Sequence, residues 1–255
     1  QSTYRILRRW GEPNPWRGLL GGQRQQQLEQ AIEQRFAKGL PVTVDLVGGI
    51  GDQLETAALL QASRPGLPRP EALWLRPTGE NSSVVEALLE EVPGLQLEPS
   101  QGLEGSWHVT SPWFRFWMGL KGLEQAPVAL LQDPQPAPGG RGLLVCWRCK
   151  PDPANPLSSF SRSLPFPLIL ELYGRWQGAE ARGLRLLDMG DYNPEELQIL
   201  KRQAPWVQMV RQQIRSLSAT RKLMAQCNAI ATVDTSLGHL AVACGRQVQL
   251  LLPQF

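Results

Sequence analysis

The closing segment of the chain, residues 228–253, constrains its fold more than any other part. A short apolar strand at 229–233 leads into a polar turn, after which apolar residues recur at helical spacing until Gly245. An almost uninterrupted apolar strand follows at 248–252. A strand, a helix and a second apolar strand in this order predict a buried parallel sheet.

The turn that starts this helix is Asp234-Thr235-Ser236. In an open α/β sheet it lies at the carboxyl end of a strand, where a helix N-terminus offers free backbone N–H groups and the positive end of its dipole. We therefore expect an anion such as phosphate to bind here, with His239 one turn further along the helix. Two structural interpretations stay open, namely Asp234 as a helix cap and His239 as a core residue.

Strand and helix patterns alternate over most of the chain, which predicts parallel sheets with helices on both faces. The predicted strands cover residues 42–47, 72–75, 95–97, 142–147, 184–187, 229–233 and 248–252. The predicted helices cover residues 23–38, 84–89, 168–176, 194–202 and 214–227, and another begins near residue 52. The aromatic segment 99–119 is poorly periodic and is expected either to line a pocket or to pack between domains.

A stretch rich in proline and glycine divides the chain. Residues 133–141 have the composition of a linker that few contacts cross. We predict an N-terminal extension with an amphipathic helix at 1–40, and Rossmann-like domains at 41–132 and 142–255. The expected fold class is α/β, with two Rossmann-type domains whose parallel sheets face a central cleft.

A glycine-rich turn follows the first predicted strand. Gly48, Gly49 and Gly51 precede a helix that begins near Asp52. This spacing is close to that of a dinucleotide-binding turn, but the third glycine of that pattern is missing and no acidic residue ends the second strand. Asp52 is either a first-turn carboxylate favoured by the helix dipole or a residue with a chemical role.

A polar loop with basic side chains follows the strand at 142–147. It contains Arg148, Lys150, Ser161 and Arg162. The planar guanidinium of Arg162 suits phosphate oxygens and makes this residue a candidate for an anion contact. Arg148 and Lys150 are further candidates, with a solvated strand end as the alternative interpretation.

Composition excludes several classes of protein. The net charge of +3 gives no strong electrostatic footprint for nucleic acid. No apolar run reaches about 18 residues, so no membrane span is expected, and the first residues lack the apolar core of a signal peptide. We expect a cytoplasmic protein, and the basic, aromatic start leaves a peripheral contact with a membrane surface open.

The four cysteines are expected to be buried free thiols. Cys146 and Cys149 form a C-x-x-C, but Cys146 lies within a predicted strand rather than at the helix N-terminus that a redox thiol needs. Zinc would require two more ligands, and the chain has no second C-x-x-C and only two histidines. We therefore predict no metal site.

The segment VDTSLGHLAVACGRQVQLLLP resembles the donor-site segment of the ADP-heptosyltransferase-like glycosyltransferases, including the branch often fused to tetratricopeptide repeats. Its residues fit their pattern D-T-x-x-x-H-L-A-x-A-x-G in register. Gly51-Asp52 is similar to the Gly-Asp pair that opens their first helix, and residues 162–165 are similar to their R-S-[LI]-P element. The resemblance implies a GT-B-like fold.

The resemblance also implies a reaction. It is an inverting, metal-independent transfer of a sugar from a nucleotide-diphosphate donor to a hydroxyl of a glycan or protein acceptor, with Asp52 as general base. No cofactor is implied beyond the nucleotide sugar as co-substrate. The residues implied at the donor are Arg162, Asp234, Thr235, Ser236 and His239, with Arg148, Lys150 and Ser161 as further phosphate contacts.

Two other functions stay open. The first half is short for a full acceptor domain, and the sequence stops at Phe255, where relatives usually continue into a helix that returns to the first domain. These departures favour the alternative of a catalytically degenerate glycosyltransferase-like domain that acts as a binding or assembly module. A nucleotide-dependent oxidoreductase is a third hypothesis, based on the glycine-rich turn alone.

Overall fold

The structure is a computed structural model that describes residues 22–131, 142–149, 162–178, 183–214 and 216–252. Its helices are α1 (Gly22–Lys38), α2 (Ile50–Ser63), α3 (Ser82–Leu89), α4 (Ser111–Leu120), α5 (Phe166–Arg175), α6 (Pro194–Gln203), α7 (Leu217–Met224) and α8 (Ser236–Ala243). Its strands are β1 (Val42–Leu46), β2 (Leu73–Pro77), β3 (Trp107–Thr110), β4 (Gly142–Cys146), β5 (Arg185–Asp188), β6 (Val207–Met209), β7 (Ala229–Thr232) and β8 (Val248–Leu250).

The strands form two parallel sheets. The first has the order β2-β1-β3 and the second the order β6-β5-β4-β7-β8. Every strand pairing in both sheets is parallel, as the alternation of strands and helices predicts. The carboxyl ends of β4, β5 and β7 therefore lie side by side at one edge of the second sheet, because β4 pairs with both neighbours.

The first sheet is built around a buried strand and an aromatic layer. Val42 and Val44 of β1 are fully buried. Phe36 of α1 stacks on Trp117 of α4 with ring centroids 5.6 Å apart, and Phe114 packs beside both. The predicted N-terminal helix thus contributes to this core, and these rings of the aromatic segment are core residues rather than the lining of a pocket.

The two sheets share apolar packing across the predicted domain boundary. Helix α8 of the second half packs against α2 of the first half, and one continuous core contains buried residues from both helices, such as Leu54 and Leu240. The backbone N–H groups of Leu130 and Leu131 both donate to the carbonyl of Ala243. The two halves are therefore fixed against each other before the chain reaches the predicted linker at 133–141, which lies outside the described residues.

Several elements differ from the sequence expectation. The strand predicted at 95–97 is only an isolated bridge between Leu97 and Leu75. The helix predicted at 214–227 is shorter, because Ser216 accepts a hydrogen bond from the N–H of Ala219 and caps α7 one residue before Leu217. Strands β3 and β6 were not predicted, since strands of three or four residues carry little periodicity.

None of the described helices combines the length and apolar character needed to cross a membrane. All four cysteines are buried and free, as expected from the sequence. Among the described residues, no group of three or more His, Cys, Asp or Glu side chains is placed to hold a metal ion.

Candidate functional site

Two adjoining cavities lie at the carboxyl edge of the second sheet. The smaller has a volume of about 100 Å³ and the larger about 210 Å³. The smaller is lined by Cys146, Arg148, Met189, Asp191, Arg211, Thr235, Ser236 and Leu237. The larger shares four of these residues and is completed by Val84, Ile214, Ser216, Leu217, Thr220 and Leu240. One compartment is therefore rich in polar groups and the other mostly apolar.

The turn before α8 forms part of the smaller cavity wall. Thr235 is the N-cap of α8 in an extended conformation, and its hydroxyl lies 3.0 Å from that of Thr232. The Thr232 hydroxyl donates its proton to the carbonyl of Val233, so the Thr235 hydroxyl is the donor between the two threonines. The backbone N–H groups at the start of α8 and the exposed Ser236 hydroxyl are then the donors that this turn offers to an anion.

Asp234 is not the cap of α8. Its carboxylate lies 3.6 Å from Nε2 of His239. Its carbonyl accepts from Nη1 of Arg162 at 3.4 Å and from the Cys149 thiol at 3.3 Å. The structure thus places Arg162 at this turn, in contact with the Asp234 carbonyl, and the Asp234 carboxylate beside the ring of His239.

Arg148 lines the smaller cavity, but its charge is already matched. Its guanidinium binds both carboxylate oxygens of Glu196 at 2.9 and 2.6 Å, donates to the carbonyl of Asp191, and stacks 4.3 Å above the ring of Trp147. The same contact lowers the pKa of Glu196, chiefly through the hydrogen bonds from Arg148. Arg148 is therefore neither a solvated strand end nor an unmatched charge. Lys150 and Ser161 lie outside the described residues.

On the other half of the molecule, Asp52 closes the glycine-rich turn. Its Oδ2 accepts a hydrogen bond from the N–H of Gly49 at 3.0 Å, and the side chain is exposed. Gly48 has a φ of 103°, which a side chain rarely adopts, and a Cβ there would lie 2.8 Å from the Asp52 carboxylate. The turn is therefore shaped around this carboxylate, whose second oxygen has no hydrogen-bond partner among the described residues.

The residue before Asp52 lies against a side chain of the second half of the molecule. A Cβ on Gly51 would lie 2.5 Å from Cδ2 of His239, so only glycine admits the imidazole ring here. His239 lies between two carboxylates, with Nδ1 3.9 Å from Glu55 and Nε2 3.6 Å from Asp234. The histidine is 31% exposed and joins the predicted donor turn to the first turn of α2.

A buried carboxylate holds the loop that follows β5. Asp188 is fully buried and accepts hydrogen bonds from the hydroxyls of Tyr173 and Tyr192 and from the N–H of Gly190. Burial raises the pKa of Asp188 above its usual range, although the hydrogen bonds oppose this shift. The loop carries Met189 and Asp191 of the smaller cavity wall, so the hydrogen bonds of Asp188 hold this part of the wall in place.

Sequence reasoning missed several residues of the cavities. Met189 and Asp191 follow β5, Arg211 follows β6, and Val84 comes from α3 in the first half. None belongs to a motif. The only available signal was position, because the ends of parallel strands gather at one edge, and β6 was itself not predicted.

No protein-family model and no curated protein sequence matches the chain. Solved structures resemble it at low identity. The heptosyltransferase WaaC of E. coli, solved with ADP, is 14% identical over 83% of this chain and 87% of that one, with a TM-score of 0.53. The glycosyl transferase family 9 structure from Veillonella parvula DSM 2008 is 10% identical over 83% of this chain and 80% of that one, with a TM-score of 0.52.

At these identities the likeness establishes the fold. The chain is an α/β protein with parallel sheets in a GT-B-like arrangement, which confirms the predicted fold class. Fold alone does not fix function.

The Gly51–His239 contact is tested by a double-mutant cycle. Gly51→Ala is expected to lower the free energy of unfolding by about 1–3 kcal/mol, because the added methyl overlaps the imidazole ring. In a His239→Ala background the same change is expected to cost less than about 0.5 kcal/mol. Gly174→Ala, in a helix with open space around it, should instead gain about 0.5–1 kcal/mol. Equal costs of Gly51→Ala in both backgrounds, measured by urea unfolding, would contradict the contact.

The buried Asp188 predicts a pH dependence of known sign. Because its folded pKa is raised above the ordinary 3.8, the native state holds the proton more tightly, and its contribution to stability falls as pH rises through that window. The stability advantage of wild type over Asp188→Asn should therefore be largest near pH 4 and shrink towards pH 7, by at most about 1.4 kcal/mol per pH unit.

Glu196 supplies a control of opposite sign. Its pKa is lowered, so its contribution is present above the ordinary 4.5 and is lost as pH falls through the folded value. The advantage of wild type over Glu196→Gln should rise with pH. Urea unfolding of the three proteins from pH 3 to 7 measures both trends, and parallel curves for the two variants would refute the assignment.

Proposed function

We propose that the protein is a glycosyltransferase that transfers a sugar from a nucleotide-diphosphate donor to an acceptor hydroxyl. The observation that carries this proposal is that α8, whose start lines both cavities, packs against the first turn of α2, which holds Asp52. The ring of His239 in α8 lies directly against Gly51 in α2, so these two elements are close to each other. The same placement suits a reaction in which a donor on one half meets a base on the other.

The two cavities suit the two parts of a nucleotide diphosphate. The larger cavity has apolar walls that include Ile214, Leu217 and Leu240. Such walls favour a planar base. The smaller cavity offers the Ser236 hydroxyl and the N–H groups at the start of α8, which suit phosphate oxygens. Arg162 reaches the same turn through the Asp234 carbonyl.

Asp52 supplies the proton acceptor in this proposal. One carboxylate oxygen is occupied by the Gly49 N–H, which fixes the group in place, and the exposed side chain leaves the other oxygen for an acceptor hydroxyl. As the acceptor oxygen forms its bond to the anomeric carbon, its proton passes to Asp52. The bond from the anomeric carbon to the diphosphate breaks, and its electron pair leaves on the phosphate oxygen.

A single displacement of this kind inverts the anomeric centre. The charge that develops on the leaving diphosphate is met by helix N–H groups and guanidinium groups, which supports a mechanism without a metal ion. ADP-sugars are the first donors to test, because the E. coli neighbour was solved with ADP. A glycan or a protein hydroxyl is the proposed acceptor.

Asp52→Asn tests the proposed function most selectively. A thermal-shift screen against ADP-, GDP- and UDP-sugars first identifies a donor, which at about 100 times its dissociation constant should stabilise the fold by about 2.7 kcal/mol. The variant should bind that donor as well as wild type does, because the asparagine carbonyl still accepts from Gly49. Its turnover should fall about 10²- to 10⁴-fold.

Glu195→Gln is the matched control, since Glu195 is an exposed acid in the first turn of α6 that lines neither cavity. It should leave binding and turnover unchanged. Transfer by Asp52→Asn at the wild-type rate would eliminate Asp52 as base. A wild-type protein that binds a donor but transfers from none would favour the alternative of a binding or assembly module.

A further inference from the structure

The arginines around the smaller cavity differ in whether their guanidinium groups are already bound to other groups of the protein. Arg148 is matched by Glu196, and Arg162 already donates to the carbonyl of Asp234. The exposed Arg211 side chain forms no hydrogen bond or ion pair with any residue that the structure describes. Its charge is therefore available to a ligand, whereas that of Arg148 is not.

Arg211 also stands at the boundary between the two cavities. It follows β6 in a short 3₁₀ turn, Arg211–Gln213, and lines both compartments together with Met189, Ser236 and Leu237. A nucleotide whose base lies in the larger cavity and whose sugar points towards α2 would carry its phosphates past this position. The location thus matches the diphosphate rather than the base.

The charged side chains around the smaller cavity also point to Arg211 as the residue that favours a diphosphate. Asp191 lines the smaller cavity and is exposed, and a carboxylate beside a diphosphate raises its energy. The pair of Arg148 and Glu196 adds no net charge. Without Arg211 the charged side chains around the smaller cavity would therefore leave the negative charge of Asp191 unbalanced.

We infer that Arg211 binds the donor diphosphate beside the start of α8 and makes this site selective for diphosphates over monophosphates and nucleosides. This inference rests on the proposed function. A planar guanidinium presents two parallel donors to phosphate oxygens and stays protonated throughout. In the reaction the Arg211 guanidinium stabilises the negative charge that the breaking sugar–phosphate bond leaves on the diphosphate. The acceptor proton goes to Asp52.

The test measures binding of ADP, GDP and UDP, and of the matching monophosphate and nucleoside of the tightest one, by calorimetry. Arg211→Gln should weaken the diphosphate about 10- to 100-fold and leave the nucleoside within about twofold. Arg211→Lys should recover part of the loss, because it keeps the charge without the fork. The diphosphate affinity of wild type should also fall more steeply with salt than that of Arg211→Gln.

Arg202→Gln is the matched control, since Arg202 is an exposed arginine on α6 that lines neither cavity. It should change none of these affinities. An Arg211→Gln protein that binds the diphosphate as wild type does, or that loses nucleoside and diphosphate affinity equally, would overturn the inference while the proposed function stands. Failure of the wild type to bind any of the three diphosphates would instead reject the proposed function, and the inference with it.

Discussion

The contact between the His239 ring and the backbone of Gly51 is the constraint on which the rest of the site depends. Helix α8 can approach α2 this closely only because residue 51 has no side chain. The approach continues the apolar core from one sheet to the other and places the start of α8 beside the first turn of α2. Anion donors from one half and the Asp52 carboxylate from the other half thereby share one region.

The charged side chains around this region are of two kinds. Some are bound to other protein groups and stabilise the fold, and others face the cavities. Asp188 and Glu196 are carboxylates committed to the protein, the first to tyrosine hydroxyls and the second to Arg148. The loop after β5 and the end of β4 are thus fixed by polar contacts that a ligand does not have to displace. A site whose walls are already held in place loses little conformational entropy on binding.

The sequence predicted the two turns that meet but not the wall between the cavities. Both turns carry strong local signals, since a cluster of glycines at 48, 49 and 51 marks a turn and the polar residues before α8 mark a helix start. Arg211 follows a three-residue strand without periodicity, so nothing local marks it. The partner of Arg148 lies 48 residues away in the chain, and only the fold shows that this arginine is neutralised.

The close contact at Gly51 has a similar explanation. The sequence shows a glycine that fits a helix start, and only the tertiary structure supplies the imidazole ring that excludes every other residue. The aromatic segment of the first half left two interpretations open, a pocket lining or packing between domains, and the structure buries Phe114 and Trp117 of this segment against Phe36 of α1.

The most direct test of the account is a crystal structure of the protein in complex with a non-transferable nucleotide sugar. The account predicts the base in the larger cavity, the diphosphate between the start of α8 and Arg211, and the anomeric carbon facing Asp52. A nucleotide bound outside these two cavities, or an anomeric carbon turned away from α2, would contradict it.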